Sequence, residues 1–483
     1  MASDAAGNAH CLLRGGTIVD GTGASGYRAD VRVEDGRIVE IGRGLDPREA
    51  WCIDASGRVV APGFIDVHTH DDQYVLSSPD ALPKITQGVT TVVVGNCGIS
   101  LAPLVHPNVP PPLNLLGGSG KHVFPTMRAY AAAIEAARPA VNVAALVGHA
   151  TLRVATMDDP YRKATGREQA AMLELAREAM AAGATGLSTG LFYAPNAAAD
   201  VAEVTMLARV AAEAGGVYST HIRDEGKAVI ASLDEAFAAA RDAGLPVIIS
   251  HHKCAGPENW GRTTETLVHI DAARRRQAIG LDAYPYAASS TVLRADMADG
   301  RIDVMVTWSE PHPEMSGRML ADIAARWGCS QGEACERLQP GGAIYFSMRE
   351  DDVQRVLKYG ATMIGSDGLP HDRHPHPRLW GTFPRVLGHY AREVGLFPLE
   401  EAVHRMTGLP ANRFKLEDRG EIALGKHADL VVFDPARIID RATFEHPTRA
   451  AEGIDYVMVA GTIAKDPNGA TANRAGRFLR LGA

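Results

Sequence analysis

Apolar and polar positions along the chain fall into two textures. The first sixty residues alternate: LLRGGTIVDGTG, ADVRVEDGRIVEIG and WCIDASGRVVAPG interleave the two kinds, with Asp-Gly and Ser-Gly pairs at the reversals. Such alternation predicts short, half-buried strands joined by tight turns. It returns near the end in RGEIALGKHADLVVFDP and YVMVAGTIAKD. Two such ends around a long middle predict one small discontinuous β domain, formed by residues 1–62 and 416–483. Two independent β flaps are the alternative.

In the middle the period changes. Apolar runs of four to seven residues are each followed by an Ala-rich stretch of helical spacing, such as REQAAMLELAREAMAAG or SLDEAFAAARDAG. Eight runs stand out: GFIDVHTH, TTVVVGNCG, NVAALVGHA, ATGLSTGL, GVYSTHI, PVIISHHK, GLDAYPY and ATMIGSD. Strands this apolar have both faces covered, which means a parallel sheet. Eight strand–helix units predict an α/β protein with a closed, TIM-like (β/α)8 barrel over 63–415. About eighty residues separate Tyr284 from Asp367, which predicts an insertion at about 287–345. It falls on the loop side, where such barrels keep their active sites, so a lid and a plain surface embellishment both fit.

Composition excludes several classes. Lys and Arg number 49 against 57 Asp and Glu, a charge of -8 over 483 residues, and this indicates no nucleic-acid partner. With 46% hydrophobic and 22% charged residues the chain is too apolar to be disordered. No window approaches the roughly 18 consecutive apolar residues of a membrane span. MASDAAGNAH lacks the basic and apolar regions of a secretory signal, so a cytoplasmic protein without membrane contact is expected. Six cysteines without a CxxC pair are no disulfide scaffold, and any special cysteine is special as a thiolate. The oligomeric state stays open, a monomer included.

Each candidate strand stays apolar until its C-terminal end and there delivers a residue able to bind metal or move a proton. The first gives His68 and His70, two apart, so both leave one face of an extended chain. The second gives Cys97, the third His149, the fifth His221, the sixth His251 with His252 beside it, and the eighth Asp367. A lone histidine at a strand end is more often a hydrogen-bonded core residue than a ligand. Several around one barrel mouth reverse that balance, because a divalent cation is the simplest partner for many imidazoles, a thiolate and a carboxylate. This mixed donor set suits zinc, although ligand type also admits iron, cobalt or manganese. His252 faces away from His251 on a regular strand and is expected in the core. His371, His374 and His376 lie in a Pro-rich loop and are expected to be solvated.

The segments GFIDVHTHDD, GVTTVVVGNCGIS, STHIRDE, SHHK, DAYPY and GSDGLPHDRHPHPRLWGTFPRVLGHY occur in that order. Through them the chain closely resembles the N-acyl-D-amino acid deacylases, or D-aminoacylases, of the amidohydrolase superfamily. The resemblance implies zinc-dependent hydrolysis of the amide bond of a small N-acyl-D-amino acid, giving a carboxylate and a free D-amino acid. It implies that Cys97, His221 and His251 hold one tightly bound zinc, while His68, His70 and Asp367 surround a second, weaker position. It sets the substrate carboxylate against Lys253, Tyr284, Ser290 and Arg378, with Arg223 close by. Such residues are apt donors for a carboxylate, although a structural salt bridge is the plainer role for Lys253 and Arg378.

Asp367 is the expected proton carrier, taking a proton from the attacking water and delivering it to the departing nitrogen. His149 is either a donor to the scissile carbonyl or a core residue. The D configuration follows from the resemblance alone. A neutral or apolar side chain is favoured, with Met348 as a candidate pocket wall. Arg294 supports the alternative, an N-acyl-D-glutamate or N-acyl-D-aspartate deacylase. Hydantoinases and dihydroorotases carry a carbamylated lysine after strand four, where this chain has Ser188, Thr189 and Gly190, so a cyclic-amide hydrolase is disfavoured. A silent scaffold is disfavoured because every ligand position is retained.

Overall fold

Eight parallel strands follow one another around a barrel: Phe64–Asp66, Val89–Val94, Asn142–Gly148, Gly186–Gly190, Val217–His221, Val247–Ile249, Ile279–Ala283 and Thr362–Ile364. Each pairs with the next in chain order. Every residue in them is buried, as it must be when helices cover the outside and side chains fill the inside. Each of the eight apolar runs supplies one strand. This computed structural model describes residues 10–118 and 120–482, so most of MASDAAGNAH, on which the expectation about a secretory signal rests, lies outside the described residues.

The helices between strands form for local reasons. Gly166–Ala181 starts on a capping box in which Thr165 and Glu168 satisfy each other's backbone N–H groups, and it buries Met172, Ala176, Ala179 and Met180. Those positions recur at helical spacing and make one apolar stripe against the barrel. Among the described residues no helix is long and apolar enough to cross a membrane.

The terminal segments share one sheet. Strand Val59–Pro62 runs parallel to His10–Ile18 on one side and antiparallel to Leu430–Phe433 on the other. Val31, Val33, Ile53, Leu430, Val432 and Met458 form a core of their own there. One expectation is corrected. The stretch 416–483 does not remain in this sheet, because Phe478–Leu479 pairs with the start of the third barrel strand and buries the Phe478 side chain. Between the seventh and eighth strands, Ser289–Val292, Val304–Ser309 and Gly341–Tyr345 make a three-stranded antiparallel sheet. Leu320, Ile323, Cys335 and Leu338 from two helices pack on it.

Candidate metal centre

Sulfur and imidazole meet where the barrel strands end. Cys97 Sγ lies 3.2 Å from His68 Nε2 and 3.3 Å from His251 Nε2. Cys97, His221 and His251 present ligand atoms within 4.8 Å of one another, and so do His68, His70, Cys97 and Asp367. Cys97 belongs to both groups. Burial works against its thiolate, but the His68 and His251 rings outweigh that and hold the thiol well below its ordinary range. Burial likewise opposes the Asp367 carboxylate, and Arg378 with His68 keeps it well below the usual carboxylate range.

The backbone at these positions is unusual. Cys97, His251 and Asp367 have φ of 53°, 36° and 50°, left-handed values that non-glycine residues seldom adopt. Such conformations persist where the surroundings over-determine them, often at functional sites. The sixth strand stops at Ile249, so His251 and His252 do not alternate as on a regular strand. His252 nevertheless turns away, its Nε2 2.8 Å from Thr266 Oγ1. A Cβ added at Gly190 would lie 2.1 Å from the Cys97 carbonyl oxygen. The Cys97 turn therefore rests directly on the end of strand four.

Carboxylates stand behind two of the rings. His68 Nδ1 is 3.1 Å from Asp282 Oδ1, which also accepts the His251 backbone N–H at 2.8 Å. His251 Nδ1 is 3.0 Å from Glu225 Oε1. A carboxylate on Nδ1 fixes the tautomer and orients Nε2 toward a metal. Both nitrogens of His221 and Nδ1 of His70 are buried without a hydrogen-bond partner. Free imidazole nitrogens beside a thiolate fit a cation. Glu225 and Asp282 are not among the residues that the sequence pattern singles out. An acid inside the otherwise apolar GLDAYPY run was the available signal for Asp282; Glu225 lies in a loop with no spacing cue.

A cavity of about 380 Å³ opens over this cluster, lined by His70, His221, His251 and Asp367, by Lys253, Tyr284 and Ser290, and by Leu115, Phe192, Arg294 and Met297. Lys253 Nζ donates to Glu225 Oε1 at 2.6 Å and to the His251 carbonyl oxygen at 3.1 Å. Tyr284 Oη and Ser290 Oγ are buried and unpartnered. Arg378 is fully buried; its Nη2 lies 2.9 Å from Asp367 Oδ2 and 3.0 Å from the Ser290 carbonyl oxygen, while Nε and Nη1 have no partner. Its guanidinium sits 4.5 Å from the centre of the Tyr284 ring.

Other expected residues are drawn elsewhere. Arg223 reaches the cavity rim, but Glu235 binds it at 2.8 and 2.9 Å and the Ala197 and Ala199 carbonyls each take a further N–H. His149 does not line the cavity. A helix, His149–Thr156, begins at that residue and turns the ring to Glu203, 2.8 Å away, which Arg153 also binds. The Pro-rich loop is not uniformly solvated. His376 is buried on the Ala288 carbonyl at 3.1 Å and His374 contacts the Phe444 carbonyl at 2.7 Å, while His371 is exposed. Met348 packs with Tyr284 and Tyr286 beside this cavity.

Residues 52–310 and 318–464 match the profile of the amidohydrolase family. The chain belongs to that family. Over 470 residues this amidohydrolase is 55% identical to the D-aminoacylase of Alcaligenes xylosoxydans xylosoxydans, covering 97% of each chain. A solved D-aminoacylase, described by a binuclear metal centre with one-metal activation and second-metal attenuation, matches at TM-score 0.95 and 53% identity, over 97% of this chain and 99% of that one. The N-acyl-D-glutamate deacylase of Bordetella bronchiseptica, solved with zinc and a phosphonate mimic of the tetrahedral intermediate, matches at 0.93 and 50% with the same coverage. The family read from the motifs is thus the family found, and the sulfur–imidazole cluster offers donor groups that could hold a metal ion.

Proposed function

We propose that this amidohydrolase hydrolyses the amide bond of N-acyl-D-amino acids, releasing a carboxylate and a free D-amino acid. The ion is zinc, one held tightly by Cys97, His221 and His251, a second more weakly among His68, His70 and Asp367. One observation carries the reading: a single cavity joins the imidazole cluster to a buried phenol and hydroxyl with no hydrogen-bond partner, and the buried Arg378 guanidinium packs against that phenol with Nε and Nη1 free. The named relatives support the linear substrate and the D configuration.

Zinc bound there supplies Lewis acidity, polarising the acyl carbonyl and acidifying the attacking water. The chain's own residues do the rest. Arg378, Tyr284 and Ser290 offer unpartnered donors to the substrate carboxylate, and the Lys253 ammonium adds charge. Asp367, ionised by Arg378, accepts the water's proton and passes it to nitrogen as the C–N bond breaks. His149 and Arg223 take no direct part, since both are satisfied by other groups. Arg378→Lys keeps a positive charge but loses the forked reach, so KM is expected to rise about 10- to 100-fold, the worth of one charge-assisted hydrogen bond. Steady-state kinetics on the variant check this, and an unchanged KM removes Arg378 from carboxylate binding.

Arg294 bears on the substrate side chain. It lines the cavity, yet Asp296 takes its Nε at 2.9 Å and Nη2 at 2.6 Å, and Phe192 covers its face at 4.3 Å. A guanidinium already neutralised, beside Leu115, Met297 and Phe192, favours a neutral or apolar D side chain. The acidic reading requires Arg294 to exchange Asp296 for the substrate. The test measures kcat/KM for N-acetyl-D-leucine, N-acetyl-D-methionine, N-acetyl-D-glutamate, N-acetyl-D-aspartate, their L forms and a hydantoin. The apolar D substrates are expected to lead by about tenfold or more. A lead for the acidic substrates moves the assignment to the acidic deacylases, and turnover of the hydantoin alone overturns it.

A further inference from the structure

The barrel closes on little backbone. Every other pair of neighbouring barrel strands shares a ladder of at least three paired residues. Among the described residues the first and eighth strands meet only beyond their ends, through a Thr69–Gly368 bridge and the Asp367 N–H donating to the His68 carbonyl at 2.7 Å. Yet His68 and His70 follow the first strand, and Asp367 follows the eighth.

Buried side chains hold that seam. Lys84, in the short helix Leu82–Ile85, is fully buried and sends Nζ to Asp66 Oδ2 at 2.8 Å, Ser366 Oγ at 2.9 Å and Asp71 Oδ2 at 3.2 Å. Asp66 Oδ1 in turn accepts the Ser366 N–H at 2.7 Å, and Ser366 Oγ accepts the Gly368 N–H at 3.2 Å. Asp66 lies two residues before His68, Asp71 follows His70, and Ser366 precedes Asp367. One ammonium therefore ties both sides of the seam next to three residues of the site. A lysine in an apolar wall is tolerated only when paired, and a methionine of similar length would fill the same space without that demand.

We infer that Lys84 is a positioning residue that pins the first barrel strand against the eighth and so sets the reach from His68 and His70 to Asp367, 3.5 and 3.2 Å. Lys84 does not line the cavity, so it acts through Asp66, Asp71 and Ser366. The kinetic consequence rests on Asp367 as proton carrier; the consequence for metal binding does not depend on the substrate.

The test compares Lys84→Met with the double variant Asp66→Asn/Lys84→Met and with Lys84→Arg, each as the full chain. The double variant also removes Asp66, the nearer of the two carboxylates left unpaired, while an amide oxygen still accepts from Ser366. Zinc alone is titrated in competition with a chromogenic chelator, melting temperature is recorded, and kcat and KM are measured on N-acetyl-D-leucine. In both methionine-bearing variants zinc at Cys97, His221 and His251 keeps its affinity, while the second ion, at His68, His70 and Asp367, weakens by about tenfold or more. Turnover falls by about 100-fold with KM little changed, and Lys84→Arg recovers part of both losses. The double variant melts between Lys84→Met and the parent, because only Asp71 is left buried without its counter-charge. If it regains second-ion affinity and turnover together with its melting temperature, Lys84 is only a structural ion-pair member and the inference falls. Should Lys84→Met fail to fold, the double variant alone decides. Should the parent not cleave the substrate, the zinc titration still decides, separately from the proposed reaction.

Discussion

Asp367→Asn is expected to lower kcat by about 10³-fold while leaving the barrel folded and the tightly held ion in place. The amide has the shape of the carboxylate and can still accept a hydrogen bond from Arg378, but it cannot take up a proton near neutral pH. Asp367 is absent from the ligand group of Cys97, His221 and His251, so elemental analysis should still find the one tightly held equivalent, while any second ion is lost. A lower melting temperature accompanies the loss, because removing one partner leaves the buried Arg378 guanidinium without its counter-charge. Turnover is therefore read below the onset of unfolding, by release of acetate and free amine. The ion pair with Arg378 gives the assignment its physical content: it keeps Asp367 ionised and ready to accept, and makes the proton it receives easy to surrender to the leaving nitrogen. Near-parental turnover in Asp367→Asn would move the proton elsewhere.

Much of this arrangement was legible because parallel strands buried on both faces leave unbroken apolar runs, and a polar residue ending such a run has few roles. The eight strands, their order and the gathering of His68, His70, Cys97, His221, His251 and Asp367 follow from that one regularity. Its failures share a cause as well. A strand-end position says nothing about the next turn of backbone. His149 carries the same signature as His221, yet a helix starts at His149 and carries its ring to Glu203. Cys97, His251 and Asp367 reach the centre through left-handed conformations that no residue type announces. Asp282 and Lys84 gain meaning only from partners far along the chain: 214 residues separate Asp282 from His68, and 282 separate Lys84 from Ser366. Pairing across such distances depends on barrel closure, which spacing alone cannot express.

Cys97→Ala should lose both metal and activity, and the two losses should not be separable by adding metal back. Cys97 is the one residue common to the two ligand groups, and its sulfur stands between His68 Nε2 and His251 Nε2. Removing it leaves only His221 and His251 on one side and, on the other, His68, His70 and the Asp367 carboxylate already paired with Arg378. Three protein donors with a thiolate among them become two, too few for a tetrahedral zinc site with one open position. The purified variant should carry less than about a tenth of an equivalent of zinc, and turnover should fall to background. The fold should survive. Alanine is smaller than cysteine, the truncation costs on the order of 1 kcal/mol, and the left-handed backbone at this position disfavours both residues alike. Cys97→Asp supplies the discriminating comparison, since it restores a charged ligand of different softness; partial recovery of metal with an altered preference among zinc, cobalt and manganese is expected there. A Cys97→Ala protein that kept one equivalent of zinc and normal turnover would show that the ion is held without the sulfur, and the cluster at the barrel mouth would then need another explanation.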